Sequence, residues 1–117
     1  NNPIYIYRKT GDTLDTVILT ATKQAIGLVT EETVQFNIRE FRLMAGDIIY
    51  LFSDGFADQF GGEHNKKFSY KRFREILAEV WELPMQEQKR ILGERFDEWR
   101  GAEPQTDDVF VMGIRIT

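Results

Sequence analysis

Apolar and polar positions alternate from the start of the chain. Ile4 and Ile6 share one parity with Arg8, while Tyr5 and Tyr7 take the other. That period of two predicts a β-strand, and Lys9-Thr10-Gly11-Asp12 after it reads as a turn. Thr16 to Ala21 is a second β-branched run, so a hairpin is expected at this end of the chain. Val34, Phe36 and Ile38 alternate with Gln35, Asn37 and Arg39, as in a half-buried strand. The apolar phase then slips, because Phe41 and Leu43 fall on the other parity; a bulge near Arg39-Glu40 or a strand end there accounts for it. Gly46-Asp47 makes a turn, and Ile48-Ile49-Tyr50-Leu51-Phe52 is apolar on both faces, as a strand in the middle of a sandwich is.

Residues 54–68 break this regularity. They hold three glycines, two lysines and the only His, without periodicity. An aperiodic run of that length inside a compact domain is functional or locally structured. Two helices follow. Phe73, Ile76, Leu77, Val80 and Trp81 keep the i, i+3, i+4 spacing of one buried face, with Ser69 placed as N-cap. Pro84 starts a second helix whose inward residues are Met85, Ile91, Leu92, Phe96 and Trp99, with Gly101 beyond its end. A last strand runs from Val109 to Ile116, interrupted at Gly113. Four strands, two helices and one strand predict an α+β layered domain with a helical hairpin packed on a sheet.

Bulk properties narrow the function. A chain of 117 residues is one domain, able to bury roughly two-thirds of its unfolded surface. A 42% hydrophobic content argues for a folded core. The net charge of -4 argues against a nucleic-acid partner, which would require a basic face. The absence of Cys rules out disulfides and thiolate zinc sites and fits a reducing cytoplasm, the expected location. No apolar run approaches the ~20 residues that cross a bilayer, and no signal-peptide pattern is visible, so no membrane contact is expected from this segment. The chain begins Asn1-Asn2-Pro3 without Met and is expected to be a piece of something longer.

Two short acidic motifs carry the chemistry. Ser53-Asp54-Gly55 follows an apolar strand, and Thr106-Asp107-Asp108 precedes the last one. Each has a bland reading: Ser-Asp-Gly is common turn chemistry, with Asp bonding its own backbone, and paired acids in a loop are ordinarily solvated. Taken together they point elsewhere. Carboxylates at two strand ends can meet at one sheet edge, and like charges at close range need a cation to neutralise them. Two carboxylates are half of a site for a hard divalent cation. His64, Lys66 and Lys67 in the polar loop, and the charged outer face of the first helix, read as solvated. Trp81, Phe96 and Trp99 read as core, and Arg95, Glu94 and Glu98 suggest no partner.

Residues 46–55 (Gly46-Asp47-Ile48-Ile49-Tyr50-Leu51-Phe52-Ser53-Asp54-Gly55), the two helices, and Gln105-Thr106-Asp107-Asp108-Val109 together resemble the C-terminal half of the PPM (protein phosphatase 2C-type) serine/threonine phosphatases. The match is closer to their bacterial branch, typified by sporulation stage II protein E. Asn1-Asn2-Pro3-Ile4-Tyr5 resembles the Asn-Pro element that starts a strand midway through that domain. Lys23-Gln24-Ala25-Ile26-Gly27 resembles a short Gly-containing element after the next strand, and Asp58-Gln59-Phe60-Gly61-Gly62 and Lys66-Lys67-Phe68 also recur in the branch. The resemblance covers residues 1–117 and implies the C-terminal portion of an α-β-β-α layered sandwich.

In that family two Mn²⁺ or Mg²⁺ ions hold a bridging water that attacks the phosphorus of phosphoserine or phosphothreonine in line. The resemblance implies Asp54 and Asp107 as terminal ligands of one ion, with Gly55 and Asp108 in support. It places the acid that bridges both metals upstream of Asn1, so this segment alone is expected to bind Mn²⁺ weakly and hydrolyse little. The Thr often found two residues after the Asp pair is Phe110 here. The implied partner is a phosphoprotein in bacterial signalling, with an anti-sigma-factor antagonist as the family's example. The alternative is a degenerate, non-catalytic half-domain acting in binding or oligomerisation. Half a sandwich exposes apolar faces and unpaired edges, so self-association is expected as well.

Overall fold

The computed structural model describes residues 2–21, 26–30, 35–37 and 41–117. The first strands are β1 (Ile4–Thr10), β2 (Thr13–Ala21), β3 (Ile26–Thr30), β4 (Gln35–Asn37) and β5 (Ile48–Phe52). Then come α1 (Gly55–Asp58), β6 (Phe60–Gly61), β7 (Lys66–Lys67), α2 (Tyr70–Val80), α3 (Met85–Arg100) and β8 (Val111–Arg115). This is a mixed α+β chain. Its residues gather into two compact units, Asn1–Phe52 with Val111–Thr117, and Ser53–Phe110. Among the described residues no helix is long and apolar enough to cross a membrane.

The first unit is a six-stranded antiparallel sheet in the order β4-β3-β2-β1-β5-β8. The expected hairpin is β1–β2, in a register that pairs Thr10 with Thr13 and leaves Gly11-Asp12 as a two-residue loop. Such a loop needs positive φ to match the strand twist, and Gly11 supplies it at +62°. The five strands expected from the pattern are joined by a sixth, β3, where Gly27 interrupts the apolar run. The element Lys23-Gln24-Ala25 and the phase slip at Arg39-Glu40 lie outside the described residues.

Parity decides burial across this sheet. Tyr5 and Tyr7 of β1 share a face with Ile48, Tyr50 and Phe52 of β5, and all five are buried. Tyr7 meets Tyr50 edge-on with centroids 5.6 Å apart, and Tyr5 lies 4.6 Å from Phe52. On the opposite face Ile6 and Val17 form a small buried cluster with Ile4, Leu19, Phe41 and Ile49 around it. That face thins toward the edge, where Met112 and Ile114 of β8 are 43% and 40% exposed. The predicted apolarity of both faces of β5 is therefore real, but Ile49 and Leu51 are only half-buried.

The turn before β5 is more than a turn. Arg8 donates from Nε and Nη2 to Asp47 Oδ1 and Oδ2 at 2.9 and 2.7 Å, a two-pronged ion pair. Asp47 Oδ2 also accepts from the Met44 amide at 2.8 Å, and Arg8 Nη2 reaches the Arg42 carbonyl. Asp47 is 1% exposed, so this satisfaction is what makes its charge tolerable there. The Arg8 guanidinium holds the Asp47 carboxyl below the usual carboxylate range.

The second unit has an aromatic centre. Phe56 lies 5.3, 5.0 and 5.2 Å from Phe68, Phe73 and Phe96, ring centre to ring centre. Phe68 in turn meets Trp99 edge-on at 5.4 Å. The aperiodic stretch 54–68 is thus folded, as α1 and the β6–β7 hairpin, and Phe56, Ala57, Gln59 and Phe68 in it are buried. Helix α2 begins at the expected cap, the Ser69 side chain accepting from the Arg72 amide. Helix α3 corrects the expected inward set. Met85 at its start is 38% exposed, and Gln88 is buried in its first turns. The Gln88 amide donates to the Trp81 and Leu83 carbonyls at the end of α2, which explains a polar residue in that position. Two of the charges without an expected partner have one: Arg95 pairs with Glu79 and Glu94 with Arg90.

Candidate functional site

The two acidic motifs lie on neighbouring runs of backbone in the second unit. Ser53 stitches them together. Its amide donates to the Phe110 carbonyl at 3.0 Å, and its hydroxyl accepts from the Phe110 amide at 2.9 Å. The same hydroxyl donates to the Asp108 carbonyl at 2.9 Å. Gly55 is buried against the Asp108 carbonyl so closely that a Cβ there would overlap it. Only glycine permits that approach. Residues 53–55 therefore run directly along residues 108–110, which sets the backbones of the two acidic motifs side by side.

Asp54 is exposed and sits at the start of α1, where its side chain makes no capping bond. The self-bonded turn reading is thereby set aside. Its Oδ1 instead accepts from the Tyr70 hydroxyl at 2.8 Å. Asp107 is exposed too, and its Oδ1 accepts from the Asp108 amide at 2.8 Å, the local bond of an acidic turn. Its carbonyl takes the Gln105 side-chain amide at 3.0 Å. Upstream, the fully buried Gln59 donates to the Pro104 carbonyl at 3.0 Å, and Trp99 Nε1 donates to the Gln59 carbonyl at 2.8 Å. The loop that carries Asp107 is thus tied down at both ends.

Each ionised carboxylate offers about four lone-pair directions. The side-chain bonds just described use one at Asp54 and one at Asp107, and both residues are exposed. An oxygen-only donor set of this kind suits a hard cation such as Mg²⁺ or Mn²⁺. Among the described residues no group of three or more His, Cys, Asp or Glu side chains gathers closely enough to hold a metal ion. By donor type alone, the carboxylates of Asp54 and Asp107 suit such an ion as part of a larger ligand set.

The other candidates fall outside this arrangement. His64 and Lys66 are exposed in and beside the β6–β7 turn, and the Lys67 ammonium lies 3.7 Å from Asp58 at the surface. Arg72 sits over the Trp99 ring at 4.6 Å, a packing contact. Pattern reasoning missed two contributors. Ser53 was visible as the first residue of Ser-Asp-Gly, but its bond partners were not. Tyr70 carries no signal at all, since nothing in its neighbourhood points to Asp54.

A family-wide comparison matches residues 1–117 to the family described as stage II sporulation protein E. Among solved structures the chain is similar to the SiaA-PP2C domain of Pseudomonas aeruginosa, at 29% identity and a TM-score of 0.72. That likeness covers 99% of this chain and 44% of the other, so the chain spans less than half of its structural relative. A search of curated proteins found no match.

Proposed function

The chain belongs to the stage II sporulation protein E family of PP2C-like phosphatases, and from that premise we propose that it contributes Asp54 and Asp107 to the divalent-metal site of a phosphoserine/phosphothreonine protein phosphatase. The observation that carries this reading is the Ser53 stitch, which holds two sequence-distant acidic motifs side by side with Asp54 and Asp107 both exposed. Asp54 and Asp107 would hold Mn²⁺ or Mg²⁺, with two ions in the complete site. Bound there, such ions neutralise charge on phosphoryl oxygens and make water a competent nucleophile at neutral pH.

The work of the chain itself is placement. Ser53 fixes the spacing of the two acidic runs, Gly55 lets them close, and the Asp108 amide and carbonyl orient both neighbours. The substrate class is a phosphoprotein, with an anti-sigma-factor antagonist as the family's example. A second reading, a non-catalytic binding module, is favoured by the finding that, among the described residues, no group of three or more His, Cys, Asp or Glu side chains gathers closely enough to hold a metal ion.

The test is Mn²⁺-dependent phosphate release from a phosphoserine peptide by the complete natural chain and by its Asp54→Asn and Asp107→Asn variants. The proposal expects activity that both variants reduce by at least about 100-fold, the scale of a lost ligand or charge at such a centre. A folded protein without activity in any form would support the binding module instead.

A further inference from the structure

Resting on Asp54 as a metal ligand, we propose that Tyr70 is its positioning residue, and that the strained start of α2 exists to aim it. The Tyr70 hydroxyl donates to Asp54 Oδ1 at 2.8 Å, a bond to a charged acceptor. It occupies one oxygen of the carboxylate and leaves the other to face a cation in one orientation. A carboxylate held in this way is preorganised, as ligands backed by outer hydrogen bonds are in metal sites generally.

A second observation points to the same residue. Ser69, immediately before Tyr70, has φ 88° and ψ 153°, a region that L-residues avoid. Its surroundings over-determine it. The Ser69 amide donates to the Ala57 carbonyl at 2.8 Å, its carbonyl accepts from the Phe73 amide at 3.1 Å, and its hydroxyl caps Arg72. Phe68, on the other side, is locked between Phe56 and Trp99. The chain therefore enters α2 through a bend it would not otherwise choose, and the first helical residue after that bend is the one that reaches back to Asp54.

The experiment measures Mn²⁺ affinity by calorimetry, and the spin-resonance spectrum of bound Mn²⁺, in the complete natural chain. The variants are Tyr70→Phe, Asp54→Asn and the double variant. Tyr70→Phe is expected to weaken Mn²⁺ binding by about 10–100-fold and to alter the spectrum of the bound ion. It should move the metal-free melting temperature by no more than about 4 °C, the size of one exposed hydrogen bond. In the Asp54→Asn background it should change affinity no further. If Tyr70→Phe binds Mn²⁺ like the parent while Asp54→Asn does not, the role of Tyr70 is refuted and the metal site stands. Equal losses in both backgrounds would mean a merely structural tyrosine and would also refute it. Unchanged binding in Asp54→Asn would overturn the metal-site reading and this inference together.

Discussion

The two units of this chain hold themselves together in different ways. In the sheet unit, order comes from repetition: ladder bonds recurring along each antiparallel register and a parity that buries Tyr5, Tyr7 and Tyr50 together. In the unit from Ser53 to Phe110, the parts around the candidate site depend on single contacts between distant residues. Ser53 with Asp108, Gly62 with the Trp99 carbonyl and Tyr70 with Asp54 are each made once. Repetitive structure spreads the cost of a change over many similar bonds. A structure built from unique contacts concentrates that cost, and it also places individual side chains more exactly than a ladder needs to.

The sharpest way to break this contrast is a single methyl group. Gly55→Ala puts a Cβ into the Asp108 carbonyl, so backbone rather than a flexible side chain must shift to admit it. The expected loss is about 3 kcal/mol of unfolding free energy, read from denaturant melts. An alanine tolerated within about 0.5 kcal/mol would show that the two runs are not locked together.

In the sheet unit the nearest equivalent to a unique contact is the Arg8–Asp47 pair. Removing it with Asp47→Ala strands the guanidinium and the Met44 amide. Because Arg8 keeps partial access to water, the expected cost is about 2–3 kcal/mol rather than the larger value for a fully buried pair. The pair also sets a pH dependence. The Asp47 carboxyl is held below its ordinary value of 3.8 by the Arg8 hydrogen bonds, so its contribution is complete above that pH. It is lost as pH falls below 3.8 and through the lowered native value. The gap in melting temperature between parent and variant should be constant from about pH 5 to 7 and shrink in more acid solution. A gap that stays constant into acid would remove the ion pair from the account.

The smallest effect runs the other way. Gly93 lies in the middle of α3, with nothing near the position of an added Cβ. Gly93→Ala should stabilise by about 0.5–1 kcal/mol, measured by thermal melting, because it relieves the backbone entropy of a helical glycine. If it destabilised, the open space beside α3 would be wrong.

The same contrast explains what could be read from the residues alone. The β1–β2 hairpin, β5, α2 and α3 were legible because each satisfies a local period, and Ser69 because capping is a local rule. Strand β3 was not, since Gly27 breaks its short apolar run. Residues 54–68 offered only their lack of period, because Phe56 and Phe68 are core through partners in α2 and α3 rather than through neighbours. Gln88 was missed because its burial answers carbonyls of another helix end. In the candidate site, the two acidic motifs were visible as short strings. Their adjacency through Ser53 and the reach of Tyr70 were not, because neither bond leaves a trace in spacing.

On the proposed reading, Asp54 and Asp107, carried on the stitched runs, face one divalent cation. Anomalous diffraction at the manganese edge, from crystals of the complete natural chain soaked in Mn²⁺, tests it most directly. The expected result is a manganese peak bounded by the carboxylates of Asp54 and Asp107. A Mn²⁺-saturated crystal whose manganese peaks lie only elsewhere, with both carboxylates still facing solvent, would contradict it.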